Sequence, residues 1–357
     1  MGEIDIRGSD FDKIFEDIKG KFLSNQYFPK LILGTGLSIV MGVPGMLGLS
    51  QQLRNHFETI DDEYLTRKWN RYKDRIIEDG LEAALTNISE NDERFVEEIK
   101  QVTSKFILEK EIEIHNQILY EKSSFEKLLV YLRDTVAVNK KIIDIMTPNY
   151  DRVIEIICSK VGVASTLGFI GDLYGKFKES VLHNPRSFYS KETCVVRIFK
   201  PHGSINWIKT SDNTTIQVND YNYLNKMNSN IDIIPPGGMK YKSGLIHTVF
   251  RVHREIFNAL IEGGNENFSL IIFGYGFNDQ HFDTVIKNVS KNILVISRDI
   301  KKDIFDYAKQ HKNWTLIYQN ILGNDDKGNC SMIYEGKEIK LNTELWDLNV
   351  FVETFIG

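Results

Sequence analysis

The sequence predicts an α/β fold in which helices cover both faces of a parallel sheet and one helical subdomain is inserted. Three observations lead there. Short, continuously apolar runs of strand length alternate with helical patterns, as strands of a parallel sheet buried on both faces do. The first four strand candidates that end in a polar motif do so at their carboxyl ends, where an open α/β sheet binds its ligands. The stretch between the first two strands is helical throughout and too long for a simple crossover.

Taken in order, Lys30 to Gly34 reads KLILG and runs into the glycine turn TGLS. From Leu47 to about Val138 the pattern is helical. Phe95, Ile99, Val102 and Phe106 recur at three- and four-residue spacing, as do Phe125, Leu128, Leu129 and Leu132. A second strand, IIDIM at Ile142 to Met146, ends in TPNYD and enters the helical pattern VIEIICSKV. A third, VVRIF at Val195 to Phe199, ends in KPHGS. The fourth, Leu270 to Phe273, ends in YGFND, and ILVIS at Ile293 to Ser297 and TLIYQ at Thr315 to Gln319 complete the series. Leu167 to Thr193, and Asn206 to Gly244 with Pro235, Pro236, Gly237 and Gly238, read as irregular excursions. The expected division is therefore a nucleotide-binding domain at 1–46 and 139–325, a helical subdomain at 47–138, and a C-terminal extension at 326–357 that packs on the core. No internal repeat or low-complexity tract appears.

Composition narrows the class. In 357 residues, 42% are apolar and 26% charged, with a net charge of −5 spread along the chain, so a bulk basic footprint for nucleic acid is absent. No window approaches the roughly 18 consecutive apolar residues of a membrane span. The first ten residues carry no basic-then-apolar leader, so secretion is not expected. Cys158, Cys194 and Cys330 are odd in number and far apart, which suggests neither a disulfide framework nor a zinc knuckle, and a reducing cytoplasmic setting is expected.

Gly34, Thr35, Gly36 and Ser38 form a G-x-G-x-S turn after the first strand, where missing side chains let backbone N–H groups approach a pyrophosphate. Ile39 stands where a third glycine would complete a dehydrogenase fingerprint, and no Gly-Lys-Ser or Gly-Lys-Thr supplies a P-loop. Alone, such a turn is also an ordinary strand-to-helix connection.

Together the motifs resemble the sirtuin family, and specifically the zinc-free bacterial branch found in anti-phage defence systems. GTGLSIVMGVPG resembles the family's G-A-G-x-S followed by G-I-P, and TPNYD at Thr147 to Asp151 resembles its T-Q-N-x-D. HGS at His202 to Ser204 resembles the segment with the family's catalytic histidine, and GYGFNDQHF at Gly274 to Phe282 resembles the G-Y-S-F-N-D-x-H of the defence branch. The resemblance spans roughly Ile32 to Asp299 and includes a C-terminal ELWDLNVFVETF.

It implies a Rossmann-like NAD-binding sheet. Gly34, Thr35, Gly36 and Ser38 would meet the diphosphate, Asn149 and Asp151 the nicotinamide ribose, and His202 would act as general base or ribose-hydroxyl partner, with Gly203 and Ser204 beside it. Gly274, Phe277 and Asn278 would face the adenosine half, and Ser297 the adenine ribose. The residue types suit cleavage of the ribose–nicotinamide bond: an asparagine amide offers both donor and acceptor, and histidine accepts a proton near neutrality. Bland roles compete. Asn149 and Asp151 can cap the following helix, His202 can be a bonded strand-end histidine, and Asn278 and Asp279 can cap a helix. His281 with Asp279 points apart too far for a metal pair, and His247 and His253 have no motif around them.

The missing four-cysteine zinc ribbon and the missing phenylalanine–arginine pair after G-I-P argue against protein deacylation. The resemblance therefore implies an NAD glycohydrolase with NAD as substrate and no zinc. It would deplete cellular NAD on infection and be held inactive until assembled, with the helical block as a gate. Protein ADP-ribosylation or zinc-free deacylation, and a non-catalytic NAD or ADP-ribose sensor, remain open. The chain ends soon after the sirtuin-like region, so sensing is expected in trans, from a separately encoded HerA-type ATPase/helicase or a homo-oligomer, with neither membrane nor direct nucleic-acid contact.

Overall fold

The computed structural model describes residues 4–85, 88, 92–138, 140–237, 247–263, 266–322 and 330–357. In chain order its strands are β1 (Phe28–Leu33), β2 (Ile142–Met146), β3 (Ala164–Thr166), β4 (Phe169–Ile170), β5 (Tyr174–Phe177), β6 (Val195–Phe199) and β7 (Gly203–Lys209). They continue with β8 (Thr215–Val218), β9 (Ile231–Ile233), β10 (Phe268–Phe273), β11 (Ile293–Ile300), β12 (Trp314–Ile321), β13 (Cys330–Tyr334) and β14 (Lys337–Leu341).

The main sheet is mixed and mostly parallel, ordered β14-β13-β12-β11-β10-β1-β2-β6-β3. β1 lies at its centre and pairs in parallel with both β10 and β2. From β1 the chain winds outward through β2 and β6 on one side, and returns through β10, β11 and β12 on the other. The crevice between β1 and its two neighbours is thus the topological switch point of the sheet. Every residue of β6 and β10 is buried, and β1 and β2 are buried after their first residues. Such strands have no solvent face, which explains their unbroken apolar runs. Two core clusters follow. One contains Leu31, Leu33 and Ile145 with the helices inserted between β1 and β2, and the other Ile32, Leu270 and Ile272 with the helices Thr248–Glu262 and Gln280–Lys287.

Between β1 and β2 the described residues are helical, chiefly Met46–Thr59, Glu63–Asp79, Glu93–Tyr120 and Ser124–Tyr131. Phe95 stacks on Tyr72 and packs on Phe57, so the three- and four-residue spacing of the apolar residues marks a real buried face. After β12 the chain turns antiparallel through β13 and β14, and the closing helix Leu348–Phe355 stacks Phe355 on Phe15 of the first helix, Ser9–Phe22.

One expectation is overturned. The stretches after Leu167 and Asn206 are not irregular: they build a second, antiparallel sheet ordered β4-β5-β8-β7-β9. Its strands are mostly two to four residues long, too short for an alternating pattern to stand out. β7 was obscured because it begins inside the HGS motif itself. Gly238 and Gly244 lie outside the described residues.

Candidate functional site

Because β10, β1, β2 and β6 are adjacent and parallel, the loops at their carboxyl ends converge. The cleft they form is lined by Thr35 and Ser38 after β1, Asn149, Tyr150 and Asp151 after β2, His202 after β6, and Tyr275, Gly276, Asn278 and Asp279 after β10. Its remaining wall comes from Val43 to Met46 and from the helical block, through Leu49, Glu82 and Ile107. The cleft is about half open to solvent, and its volume is about 110 Å³.

The glycines have a different task from the one the turn suggested. Gly36 N–H donates to Gly274 O at 3.0 Å and Gly34 N–H to Phe273 O at 2.9 Å. A Cβ on Gly36 would lie 2.6 Å from Gly274 Cα, and one on Gly34 2.4 Å from Gly274 O. Gly34, Gly36 and Gly274, the last at φ +58°, let two loop backbones touch. These two N–H groups serve loop packing rather than a pyrophosphate, because a neighbouring carbonyl has already taken each of them.

Asn149 is held in a defined pose. Its Nδ2 donates to Gly34 O at 2.9 Å and to Ser38 Oγ at 2.7 Å, and Ser38 Oγ in turn donates to Asp151 Oδ2 at 2.7 Å. A carbonyl can only accept, so the amide nitrogen must face Gly34, and Oδ1 is left as the acceptor without a partner among the described residues. Asp151 also accepts from Val153 N at its other oxygen. Burial raises its carboxyl, opposed by Lys200 and the Ser38 hydrogen bond. The helix cap proper falls on Arg152 and is not made by Asn149.

His202 is 3% exposed and places Nε2 3.3 Å from Asp279 Oδ2. Asp279 caps the helix Gln280–Lys287 by accepting from Phe282 N at 3.2 Å. Burial opposes its ionisation, yet the hydrogen bond and charge of His202, with the Phe282 N–H and Arg254, hold its carboxyl well below the ordinary range. Tyr150 donates its hydroxyl to Ile234 O at 2.6 Å, and burial keeps it un-ionised.

Other expected residues stay away from the cleft wall. Gly203 sits at φ +87° against the Asp232 carbonyl, and Ser204 is fully buried, donating to Tyr150 O and accepting from Lys200 Nζ. Phe277, at φ +51°, packs on Tyr275 and Trp314, while Ser297 Oγ bonds Asp299 O. Sequence reasoning missed Lys200, wholly buried behind the site with Nζ on Asp151 O and 2.9 Å from Glu155 Oε1. A lysine directly before PHGS at the end of a buried strand was its signal. It also missed Glu82 and Tyr150 on the cleft wall; nothing in the helical pattern marks Glu82.

Among the described residues no lysine or arginine side chain lines the cleft, whereas Glu82, Asp151 and Asp279 do. The donor set therefore fits a cationic or cation-forming group better than a phosphate. Among those residues no group of three or more His, Cys, Asp or Glu is placed to hold a metal ion, and no helix is long and apolar enough to cross a membrane.

A family model described as a SIR2-like domain matches residues 144–310, a little under half of the chain. The match supports a sirtuin-like family, with a Rossmann-like fold and NAD use. It begins in β2, so Gly34 to Ser38 lie outside it and reach the site through the pairing of β1 with β2 and β10. No curated protein matches the chain.

Proposed function

We propose that the protein is an NAD+ glycohydrolase of an anti-phage defence system that cleaves NAD+ with water to nicotinamide, ADP-ribose and a proton. One observation carries the reading: Asn149, Asp151 and His202 meet in one acid-lined cleft at the switch point of the sheet, and all three lie within the residues, 144–310, that match a SIR2-like domain. Asn149 Oδ1 is oriented to hold a ribose hydroxyl or the attacking water. His202 takes the proton as the water adds. The carboxylates favour the positive charge that builds on the ribose as nicotinamide leaves.

Access to the cleft is gated in this reading. The helical block at 47–138 contributes Leu49, Glu82 and Ile107 to the wall and is the part we propose moves. Assembly as a homo-oligomer or with a separately encoded HerA-type ATPase/helicase, in the cytoplasm, would supply the trigger, and the chemistry calls for no zinc.

Chromatography of NAD+ incubated with wild type, Asn149→Ala and His202→Ala tests this. Release of nicotinamide by wild type and its loss in both variants is expected. Turnover unchanged by both substitutions would sink the assignment, and tight NAD+ binding without turnover, with the neighbouring gene's product present, would point to a sensor.

A further inference from the structure

A second cleft lies between two walls, one formed by the helix Val153–Lys160 with edge strand β3 of the main sheet, the other by strands β4, β7 and β8 of the smaller sheet. It is about half open to solvent. Its volume is about 590 Å³ against about 110 Å³ for the first cleft, and the two share no described lining residue. We infer that this cleft binds a small, uncharged heteroaromatic ring bearing an amide or amine NH2, which donates to Asn206 Oδ1. The inference goes beyond the glycohydrolase reading and does not rest on it.

Asn206 is fully buried in β7 on the floor of the cleft, and a neighbouring amide fixes which way it faces. Asn219 Nδ2 donates to Asp172 O at 2.9 Å. A carbonyl can only accept, so Asn219 must turn its Oδ1 toward Asn206. That oxygen accepts from Asn206 Nδ2 at 3.1 Å, which leaves Asn206 Oδ1 a buried acceptor without a partner among the described residues. An unmet buried acceptor costs free energy that a donor recovers, and a ligand N–H is such a donor.

The charges on the walls are matched within the protein. Arg152 is held by Glu111 at 2.7 Å, and Glu155 lies 2.9 Å from Lys200 Nζ. Asp172 is exposed, and Lys178, beside the cleft, sets its ammonium 5.0 Å from the centre of the Phe188 ring. With no unpaired cation among the described lining residues, a phosphate finds no counter-charge, and recognition falls to hydrogen bonds and apolar contact. Phe169, Ile170 and Phe188 supply the apolar contact. Ile170 and Phe188 are 45% and 40% exposed, so a flat ring can cover them while its edge reaches the buried amide. Nicotinamide and an adenine nucleoside share that chemistry.

Calorimetric titration of the full chain with nicotinamide, adenosine and inorganic phosphate tests the inference. At least one of the two ring compounds is expected to bind wild type with Kd of about 1 mM or tighter, and which one binds identifies the source of the ligand. Asn206→Leu removes the acceptor and should weaken binding about tenfold or more, the loss expected for one hydrogen bond. Ser159→Trp fills the cleft from an exposed helix position, leaves the buried amides in place, and should weaken binding at least as much. Asn149→Ala, in the first cleft, should leave the affinity unchanged. Absence of binding by both ring compounds overturns the inference, as does an affinity unchanged in Ser159→Trp or lost in Asn149→Ala. Competition by inorganic phosphate overturns the assigned ligand class. None of these readouts requires NAD+ turnover, so failure of the glycohydrolase reading leaves the inference standing, and the reverse holds too.

Discussion

The amide nitrogen of Asn149 lies 2.7 Å from Ser38 Oγ, and that hydroxyl passes its own proton to Asp151 Oδ2 at 2.7 Å. One serine hydroxyl therefore ties two strand-end loops together and fixes which face of the Asn149 amide meets the cleft. Ser38→Ala removes the shared atom and leaves the 6%-exposed Asp151 without that donor. A loss of about 1–3 kcal/mol in denaturant unfolding is expected. Nicotinamide release should fall about a hundredfold, because displacement of a reacting group by an ångström costs about that much. Stability lost without any loss of turnover would show that Ser38 serves the fold alone.

Gly36 and Gly20 make a contrasting pair. A Cβ at Gly36 meets Gly274 Cα at 2.6 Å, backbone that cannot swing aside, whereas one at Gly20, in the first helix, meets nothing within 4 Å. Gly20→Ala is expected to stabilise the protein by about 0.5–1 kcal/mol through helix propensity. Gly36→Ala should destabilise it by about 2 kcal/mol or more and push the 274–279 loop outward. Thermal unfolding of both variants checks the pair, and equal effects would remove the case for close loop packing.

The parts of this fold that could be read directly were those where one physical requirement dominates. β1, β2, β6 and β10 are buried on both faces, so their sequences are apolar runs and their ends are where the polar motifs begin. Asn149, Asp151 and His202 were legible for the same reason, since each sits just beyond such a run. The second sheet was not, because β4, β5, β8 and β9 are two to four residues long and their pairing is set by partners distant in sequence. Glycine at 34 and 36 was noticed but its partner was not: contact with Gly274 is a tertiary fact that spacing does not carry. Glu82 on the cleft wall had no signal, since a charged residue on a helix is usually a solvated one.

Two buried groups set opposite pH limits on stability. Burial raises the Asp283 carboxyl to about 7 from 3.8, a shift the Tyr275 hydrogen bond only moderates and Asp279 reinforces. The folded state therefore binds a proton that the unfolded state has lost, and stability falls as pH rises from about 4 to about 7. His253 behaves in the reverse sense: burial lowers it from 6.5 to about 3, and its Nδ1 accepts from Lys200 N–H. The unfolded chain binds that proton first, so stability falls as pH drops below about 6.5. Asp283→Asn keeps an acceptor for Tyr275 but cannot ionise. Its melting temperature should exceed that of wild type at about pH 8, by on the order of 2 kcal/mol in unfolding free energy, with the gap narrowing at about pH 5. A gap that does not change with pH would mean that Asp283 does not titrate in this range.

Lys200 is the strongest case of a charge whose value depends on its partners. Fully buried, it sets Nζ on Asp151 O, 3.0 Å from Ser204 Oγ and 2.9 Å from Glu155 Oε1, behind the loop that carries Asn149. Burial raises the Glu155 carboxyl and Lys200 is the main opposing influence, so removing the lysine leaves a buried carboxylate without its main counter-charge. Lys200→Met is expected to cost about 3–5 kcal/mol. Glu155→Gln alone strands the lysine and should cost about the same. In the double variant neither charge remains, so its loss should be clearly smaller than the sum of the single losses, by about 2 kcal/mol or more. Guanidinium unfolding of the four proteins closes this cycle. Simple additivity would show that Lys200 acts through Asp151 and Ser204 rather than through Glu155, and would make the lysine a clamp on the loop that carries Asn149 instead of half of an ion pair.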